Sequence, residues 1–506
     1  MLAICKSATI IGIEAKSVQV EVEVKSAEKQ CFILVGLADT AVRESKERVI
    51  AALSYAGFKI PGRILVNLAP AEIKKEGSNF DLAIAVGILA ASRQIKLDRL
   101  TDCYIHGELA LDGSIKPIKG AAALSIEARS KKARYILLPE ANAAEASLIE
   151  GIEVIPLRHI SEVKTFLQGE LQLRKVKFEK NEPQKEDLCL SEVYGQETVK
   201  RALTIAAAGA HNILMIGPPG CGKSMLAARF AEILPPLTVN EKLEVVKIHS
   251  SAGLPIQETI RGKRPFRAPH HVVSEVGLIG GGGSPRPGEI SLAHNGVLFL
   301  DEFPEYRRGA LEAMRAPLED GKVQITRAKA SVNFPSKFQL IAAMNPCPRG
   351  GPCDRNTNCK CSPHEVRKYL GKLSEPILDR IDLHIELNPV PLAMVAGKKN
   401  LGHGESSADI KTRVINSRNL AYTRQAKPNS ALRGSELNEN IGFSAELMNF
   451  IERHSSKLKL SARGFIRCLR VARTIADLEQ SEEVTKAHAA EAFQYRSLER
   501  LNQMFN

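Results

Sequence analysis

The chain opens on alternation. Val18, Val20, Val22 and Val24 recur at every second position, the period of a strand with one buried face. QCFILVGL (30–37) is a short apolar run and reads as a buried strand. The pattern then shifts to helical spacing: DTAVRESKERVIAALSYAG reads as a helix starting on Asp39 and stopping at Gly57. Strands and amphipathic helices continue to residue 167. Residues 168–190 are charged, weakly periodic and interrupted by Pro183, which marks a linker. A second block with its own strands spans 191–395. A polar stretch bearing Gly and Ser, 396–435, connects it to 436–506, where Leu, Ala, Arg and Glu recur at helical spacing with no strand pattern. The expected fold class is α/β: an α+β N-terminal domain, a parallel-sheet core and a small C-terminal helical domain.

Composition adds to this picture in three places. The 506 residues suffice for two to four domains, each with a core. Net charge is +13, which favours polyanionic partners, nucleic acid before an acidic membrane surface, though a merely basic protein fits equally well. The N-terminus lacks a basic region and a cleavage site, and no apolar run is long enough to cross a bilayer, so the cytoplasm is expected.

The strongest chemical signal is HNILMIGPPGCGKSMLAARFAEIL, in the order strand, loop, helix. Its loop, Gly217-Pro218-Pro219-Gly220-Cys221-Gly222-Lys223-Ser224, fits GxxxxGK[ST] in full. Glycines let backbone N–H groups close around phosphate oxygens, and the helix adds its positive N-terminal end. Lys223 reaches the outer phosphates and Ser224 can ligate magnesium, so ATP and magnesium are the expected cofactors. GVLFLDE (296–302) supplies the acidic partner: a buried parallel strand that places Asp301 and Glu302 at its carboxyl end. Asp301 would hold magnesium and Glu302 would polarise the attacking water, which makes the chemistry hydrolysis.

Three weaker signals follow. FQLIAAMN ends at Asn345, whose amide can orient the lytic water or merely end a strand. LSEPILDRIDLHIEL carries Arg380, either an arginine finger for a neighbouring subunit or the partner of Asp379 or Asp382. LKLSARGFIRCLRVARTIADL offers Arg463, Arg467, Arg470 and Arg473 at one-face helical spacings, some for ion pairs and one for nucleotide.

Taken in order, the P-loop, the Asp-Glu strand, the Asn strand, the DRID segment and an arginine-bearing helical segment resemble an AAA+ ATPase. The strings RPFRAPHH (264–271), GEISLAHNGVLFLDE (288–302), PLEDGKVQITRA (317–328), LDRIDLHIE (378–386) and GESSADI (404–410) are similar to the magnesium-chelatase-like branch, specifically the bacterial ComM/YifB family. The resemblance covers nearly the whole chain. It implies a Walker A pair in Lys223 and Ser224, a Walker B pair in Asp301 and Glu302, sensor 1 in Asn345, a trans finger in Arg380 and sensor 2 in Arg463. It also implies a hexameric ring and an ATP-driven helicase acting on single-stranded, forked or branched DNA in branch migration during natural transformation. A metal-insertion ATPase and a protein-remodelling chaperone are the alternatives.

The N-terminal block resembles the Lon proteolytic domain, a fold shared with a protein of the small ribosomal subunit, through KKEGSNFDLAIAVGILAAS (74–92) and GELALDGSIKPIKGAAALSIEA (107–128). Where that enzyme carries its Ser–Lys dyad, this chain has Asn79 and Ala122, with Ser78 one position off. No peptidase activity is expected.

Two features remain. Cys347, Cys353, Cys359 and Cys361 form C-x5-C-x5-C-x-C, four thiols able to close a structural zinc site or to stay reduced. Relatives usually read NPCPCG here; Arg349 departs from that. RGKRPFRAPHH (261–271) and the expected hairpin GKVQITRAKASVNFP (321–335) are basic. By resemblance they line a central pore, where Arg264, Arg267, Lys322, Arg327 and Lys329 would meet DNA phosphates without reading sequence.

Overall fold

The computed structural model describes residues 1–96, 99–170, 188–282, 285–327, 330–349, 361–389, 404–440, 443–458 and 460–496, with the backbone alone at 327, 330 and 438–440. The chain forms two compact units. One holds Met1–Asn181 and Val239–Arg261 with Ser284–Arg286, the other Glu182–Thr238, Gly262–Gly283 and Pro287–Asn506.

The first unit is built on seven strands: β1 (Leu2–Ile11), β2 (Glu14–Lys25), β3 (Cys31–Val35), β4 (Arg63–Ala69), β5 (Cys103–Ile105), β6 (Tyr135–Pro139) and β7 (Glu153–Leu157). They lie in the order β3-β4-β2-β1-β5-β6-β7. β1 and β2 pair antiparallel from Leu2↔Glu23 to Ile11↔Glu14. The alternation in the sequence is the inward face of β2, where Val18, Val20, Val22 and Val24 are buried. β3 differs from the expectation of a buried strand. It is an edge strand with β4 as its one neighbour, and Ile33 and Val35 are 37% and 45% exposed. An apolar run indicates a strand but not that both faces are covered.

Asp39 caps helix α1 (Thr40–Tyr55), accepting the Val42 N–H at 2.9 Å. Helix α2 (Asp81–Ala91) is buried at every residue. Its one charge, Asp81, is held by Arg48 at 2.7 and 3.0 Å and accepts the Leu109 N–H. Burial pushes that carboxyl upward despite the arginine.

An arm from the middle of the chain completes this unit. Its helix, Val239–Ala252, packs on α3 (Ala121–Ser130). Ser250 Oγ accepts the Gly120 N–H at 2.7 Å, and Gly253, at φ +74°, lies against Lys119. This segment falls inside the span read from the sequence as ATPase core.

The second unit is centred on five parallel strands: β8 (Ile213–Ile216), β9 (Phe266–Arg267), β10 (Val297–Leu300), β13 (Gln339–Met344) and β14 (Leu383–Glu386), in the order β9-β10-β13-β8-β14. β8, β10 and β13 are fully buried. A hairpin, β11 (Lys322–Arg327) and β12 (Ala330–Pro335), stands between β10 and β13 in sequence and pairs from Lys322↔Pro335 to Arg327↔Ala330. Helices α4 (Glu197–Gly209) and α5 (Lys223–Phe230) flank β8 in the chain.

Beyond the sheet the unit is helical: α6 (Ser407–Gln425), α7 (Ala445–Lys457), α8 (Ala462–Leu478) and α9 (Lys486–Gln494). α6 falls in the stretch read as a connecting segment. Its buried residues Ile410, Val414, Ser417 and Ala421 have helical spacing, but only three of them are apolar, too few to stand out against the polar background. Asp382 ties sheet to helices. It accepts the Asn212 N–H at 3.0 Å and meets Arg467 at 3.4 Å. Burial opposes its charge, but His211 and Arg467 outweigh burial and hold the carboxyl well below its usual range. Among the described residues, no helix is long and apolar enough to cross a membrane.

Candidate nucleotide-hydrolysis site

Three strands of the second unit end side by side, and each delivers one expected group. β8 runs into Gly217, β10 into Asp301 and β13 into Asn345. The loop after β8 has the shape a phosphate needs. Gly220 and Gly222 adopt φ +79° and +89°, and a Cβ on either would meet no atom within 4 Å, so the loop's rim is open. Gly217 is the reverse case: a Cβ there would lie 2.8 Å from Leu387 and 2.9 Å from Cys221 Sγ. Pro218 and Pro219 fill the turn, and Cys221 points into the core, where burial raises its thiol pKa.

Lys223 donates to Gly217 O at 2.6 Å, Pro218 O at 3.0 Å and Asn345 Oδ1 at 3.0 Å. Burial lowers its pKa. Ser224 Oγ donates to Asp301 Oδ2 at 2.7 Å, and Asp301 Oδ1 accepts the Glu302 N–H at 2.9 Å. The hydroxyl and carboxylate expected to share magnesium are therefore in contact. These donors fit a magnesium–triphosphate group: a glycine cradle, one ammonium, one hydroxyl and one carboxylate.

Glu302 sits in the left-handed region at φ 52°, a strained conformation for a residue with a Cβ. Its carboxylate meets His271 Nδ1 at 2.8 Å. The His271 ring packs edge-on to Tyr306, whose hydroxyl donates to Pro269 O at 2.5 Å. His271 lies in RPFRAPHH, where nothing in the neighbouring residues points to this partner. A fixed distance from Glu302 in space leaves no mark at a distance of 31 residues along the chain.

The arginines fall into two groups. Arg380 pairs with Glu319, not with Asp379 or Asp382, and donates to Pro376 O at 2.6 Å. Its Nε is buried with no partner among the described residues. Arg463 is exposed on the first turn of α8, and it lies close enough to Glu319 to help Arg380 lower that carboxyl's pKa. Arg380 holds Glu319 directly, while Arg463 acts on it only through its charge. Arg467 pairs with Asp382, and Arg473 with Asp477 at 2.8 Å; both are braces.

Of the residues expected to meet DNA, Arg264 donates to Pro235 O and Asn295 O at 2.6 Å each, and Arg267 forms a two-pronged pair with Glu289 at 2.7 and 2.8 Å. Both guanidiniums are engaged by the fold. Lys322 is exposed at the base of the hairpin, whose inner face buries Val323, Ile325, Val332 and Phe334. Lys329 and the side chain of Arg327 lie outside the described residues. So do Cys353 and Cys359; Cys347 is buried and Cys361 half-buried.

At the dyad positions of the first unit, Asn79 Nδ2 donates to Ala8 O at 3.1 Å, Ser78 Oγ donates to Glu108, and Ala122 is buried with its N–H donated to Glu145 at 2.7 Å.

A parallel sheet with a P-loop, an Asp-Glu strand end and a polar strand end beside it defines a P-loop ATPase of the AAA+ class. The family described as Magnesium chelatase, subunit ChlI matches residues 189–395, its C-terminal counterpart matches 404–496, and a further ChlI subunit family matches 20–142. The chain is 43% identical to competence protein ComM of Haemophilus influenzae, over 99% of both chains. It is 40% identical to YifB of Escherichia coli, over 99% of this chain and 98% of the other. A Lon protease of Bacillus subtilis matches 120 residues at 30% identity, 24% of this chain. The chain belongs to the ComM/YifB family of magnesium-chelatase-like AAA+ ATPases.

Proposed function

We propose that the chain is an ATP-driven DNA motor that works as a ring: it migrates or unwinds forked and branched DNA during recombination of incoming strands. The observation that carries the ATPase half is the contact of Ser224 with Asp301 beside Lys223 and Asn345. The DNA half rests on the +13 charge, the exposed Lys322 hairpin and full-length similarity to a competence protein.

In this reading Lys223 binds the outer phosphates, Ser224 and Asp301 hold magnesium, Asn345 orients water and Glu302 takes its proton. Bound magnesium would neutralise the phosphate charge as the bond to the leaving group breaks. Arg380 reaches a neighbour's nucleotide, exchanging Glu319 for phosphate, and Arg463 meets nucleotide from the helical lid as sensor 2. The ring is a hexamer in the cytoplasm. The first unit cleaves no peptide, because Asn79 and Ala122 supply neither nucleophile nor amine. Cys347, Cys353, Cys359 and Cys361 either close a structural zinc site or stay reduced, which metal analysis of the purified chain decides.

A metal-insertion role is the second reading, favoured by the chelatase family match. Purified protein incubated with ATP and labelled four-way junctions separates them. Junction dissociation that vanishes in Glu302→Gln supports the motor. Failure to bind or process any junction at modest salt removes DNA as the substrate.

A further inference from the structure

Asn212 stands one residue before β8, at the end of the sheet opposite the P-loop, and each of its polar groups is engaged. Its main-chain N–H donates to Asp382 Oδ2 at 3.0 Å, and its carbonyl accepts the Asp382 and Leu383 N–H groups at 3.0 and 3.1 Å. In the side chain, Oδ1 accepts the Leu340 N–H at 2.8 Å and Nδ2 donates to the Arg380 carbonyl at 2.9 Å. The position calls for a donor and an acceptor forked from one carbon, which an amide supplies and a carboxylate does not. Three parts of the site's framework meet on this amide. β8 runs from it into the P-loop, β13, to which Leu340 belongs, runs to Asn345, and the Arg380 segment leads into β14. Asp382 adds a fourth, since its other oxygen meets Arg467 on α8, the helix that also carries Arg463.

This placement sets Arg380 apart from its own subunit's nucleotide loop. A strand rises about 3.3 Å per residue, so Asn212 and Gly217 lie about 16 Å apart along β8. The Arg380 main chain is tied to the far end of that span. Its guanidinium turns to Glu319 and Pro376 O, not to Lys223, Ser224 or Asp301. The placement suits an arginine that serves another subunit's phosphates. Such a group must exchange Glu319 for phosphate by moving its side chain, and that movement starts from a main chain that Asn212 fixes.

We propose that Asn212 is a positioning residue for hydrolysis in the neighbouring subunit: its amide holds the Arg380 main chain on the root of the P-loop strand and thereby aims the guanidinium across the interface. This rests on Arg380 serving a neighbour's nucleotide, as proposed above. It makes the strand that carries one subunit's P-loop the support of the arginine lent to the next.

The test is steady-state ATP turnover of the full chain in wild type, Asn212→Asp and Arg380→Ala, each variant alone and mixed with Glu302→Gln, alongside binding of a fluorescent ATP analogue. Asn212→Asp keeps the shape and the acceptor for Leu340, and sets a carboxylate oxygen against the Arg380 carbonyl. It should lower kcat about 10²-fold, the scale of a misplacement by about 1 Å, while analogue affinity stays within about twofold of wild type. Mixed with Glu302→Gln it should regain turnover, because its own intact Glu302 then meets a correctly held Arg380 from a neighbour. A defect in its own fold or P-loop is not rescued in this way. Asn212→Ala, which removes both arms without adding charge, carries the same test if the carboxylate prevents folding. Normal turnover in Asn212→Asp overturns the proposal. So does analogue binding that falls in step with kcat, or an Asn212→Asp mixture as slow as its parents while the Arg380→Ala mixture recovers. If neither mixture recovers, the trans reading of Arg380 fails, and this inference with it.

Discussion

The two units treat their polar residues in opposite ways. In the second, side chains from separate strand ends bond to one another: Lys223 to Asn345, Ser224 to Asp301, Glu302 to His271. Each contact lies at the carboxyl end of a parallel sheet, where a ligand can replace it. In the first, the corresponding groups are taken up by the fold. Asn79 serves Ala8 O, and Ala122 gives its N–H to Glu145, a carboxyl 4% exposed. Burial pushes the Glu145 pKa up, offset in part by Ser250 on the arm helix. Likeness to Lon and likeness to an ATPase are both readable; among the described residues, it is the strand ends of the second unit that bring such polar groups together.

Substitutions sharpen that contrast. The largest effect is expected at Arg380: if it completes a neighbour's site as proposed, Arg380→Ala should cut ATP turnover by about 10³-fold or more while nucleotide binding survives. Mixing Arg380→Ala with Glu302→Gln should restore part of the turnover, since one interface then holds an intact Glu302 and an intact Arg380. A mixture as inactive as its parents would place Arg380 outside any shared site. Next comes Glu302→Gln alone, expected to lose about 10²- to 10⁴-fold in kcat with ATP affinity retained, read by single-turnover hydrolysis and analogue binding.

In the first unit the effects should be on folding. His106 is fully buried, with Nδ1 3.1 Å from Ser7 Oγ, and burial lowers its pKa to about 3. The folded pKa lies below the unfolded value, so its stability contribution is complete above about pH 6.5 and lost as pH falls toward 3. Between pH 7 and pH 5 that amounts to about 2 kcal/mol, which His106→Asn should remove from the pH dependence of thermal unfolding. The smallest effect belongs to Asn79→Ala: ATP turnover within about twofold of wild type, and no peptide hydrolysis before or after the change. A large loss of turnover there would mean the first unit takes part in the chemistry.

What the sequence made legible follows from where information is local. The P-loop, the Val297–Leu300 strand with its acidic end, the β2 alternation and the Asp39 cap are each written within a few consecutive residues, and the fold agrees with them. The features it hid are relations between distant segments. The burial of β3 depends on which strands flank it. The membership of Val239–Arg261 in the first unit depends on a docking partner over a hundred residues earlier, at Gly120. Arg380 has Asp379 and Asp382 as its neighbours in sequence but pairs with Glu319, 61 residues earlier. His271 lies in a basic segment of the sequence, yet its contact is a carboxylate at the end of another strand.

The central claim is that this site drives a DNA motor. Its most direct test is the ATP turnover of the purified chain titrated with forked DNA, with an unfolded protein as the competing ligand, across a series of salt concentrations. The account predicts that forked DNA raises turnover several-fold, that the effect weakens steadily as salt rises, as phosphate contacts require, and that unfolded protein does nothing. Turnover that ignores DNA at low salt but rises with unfolded protein would contradict it.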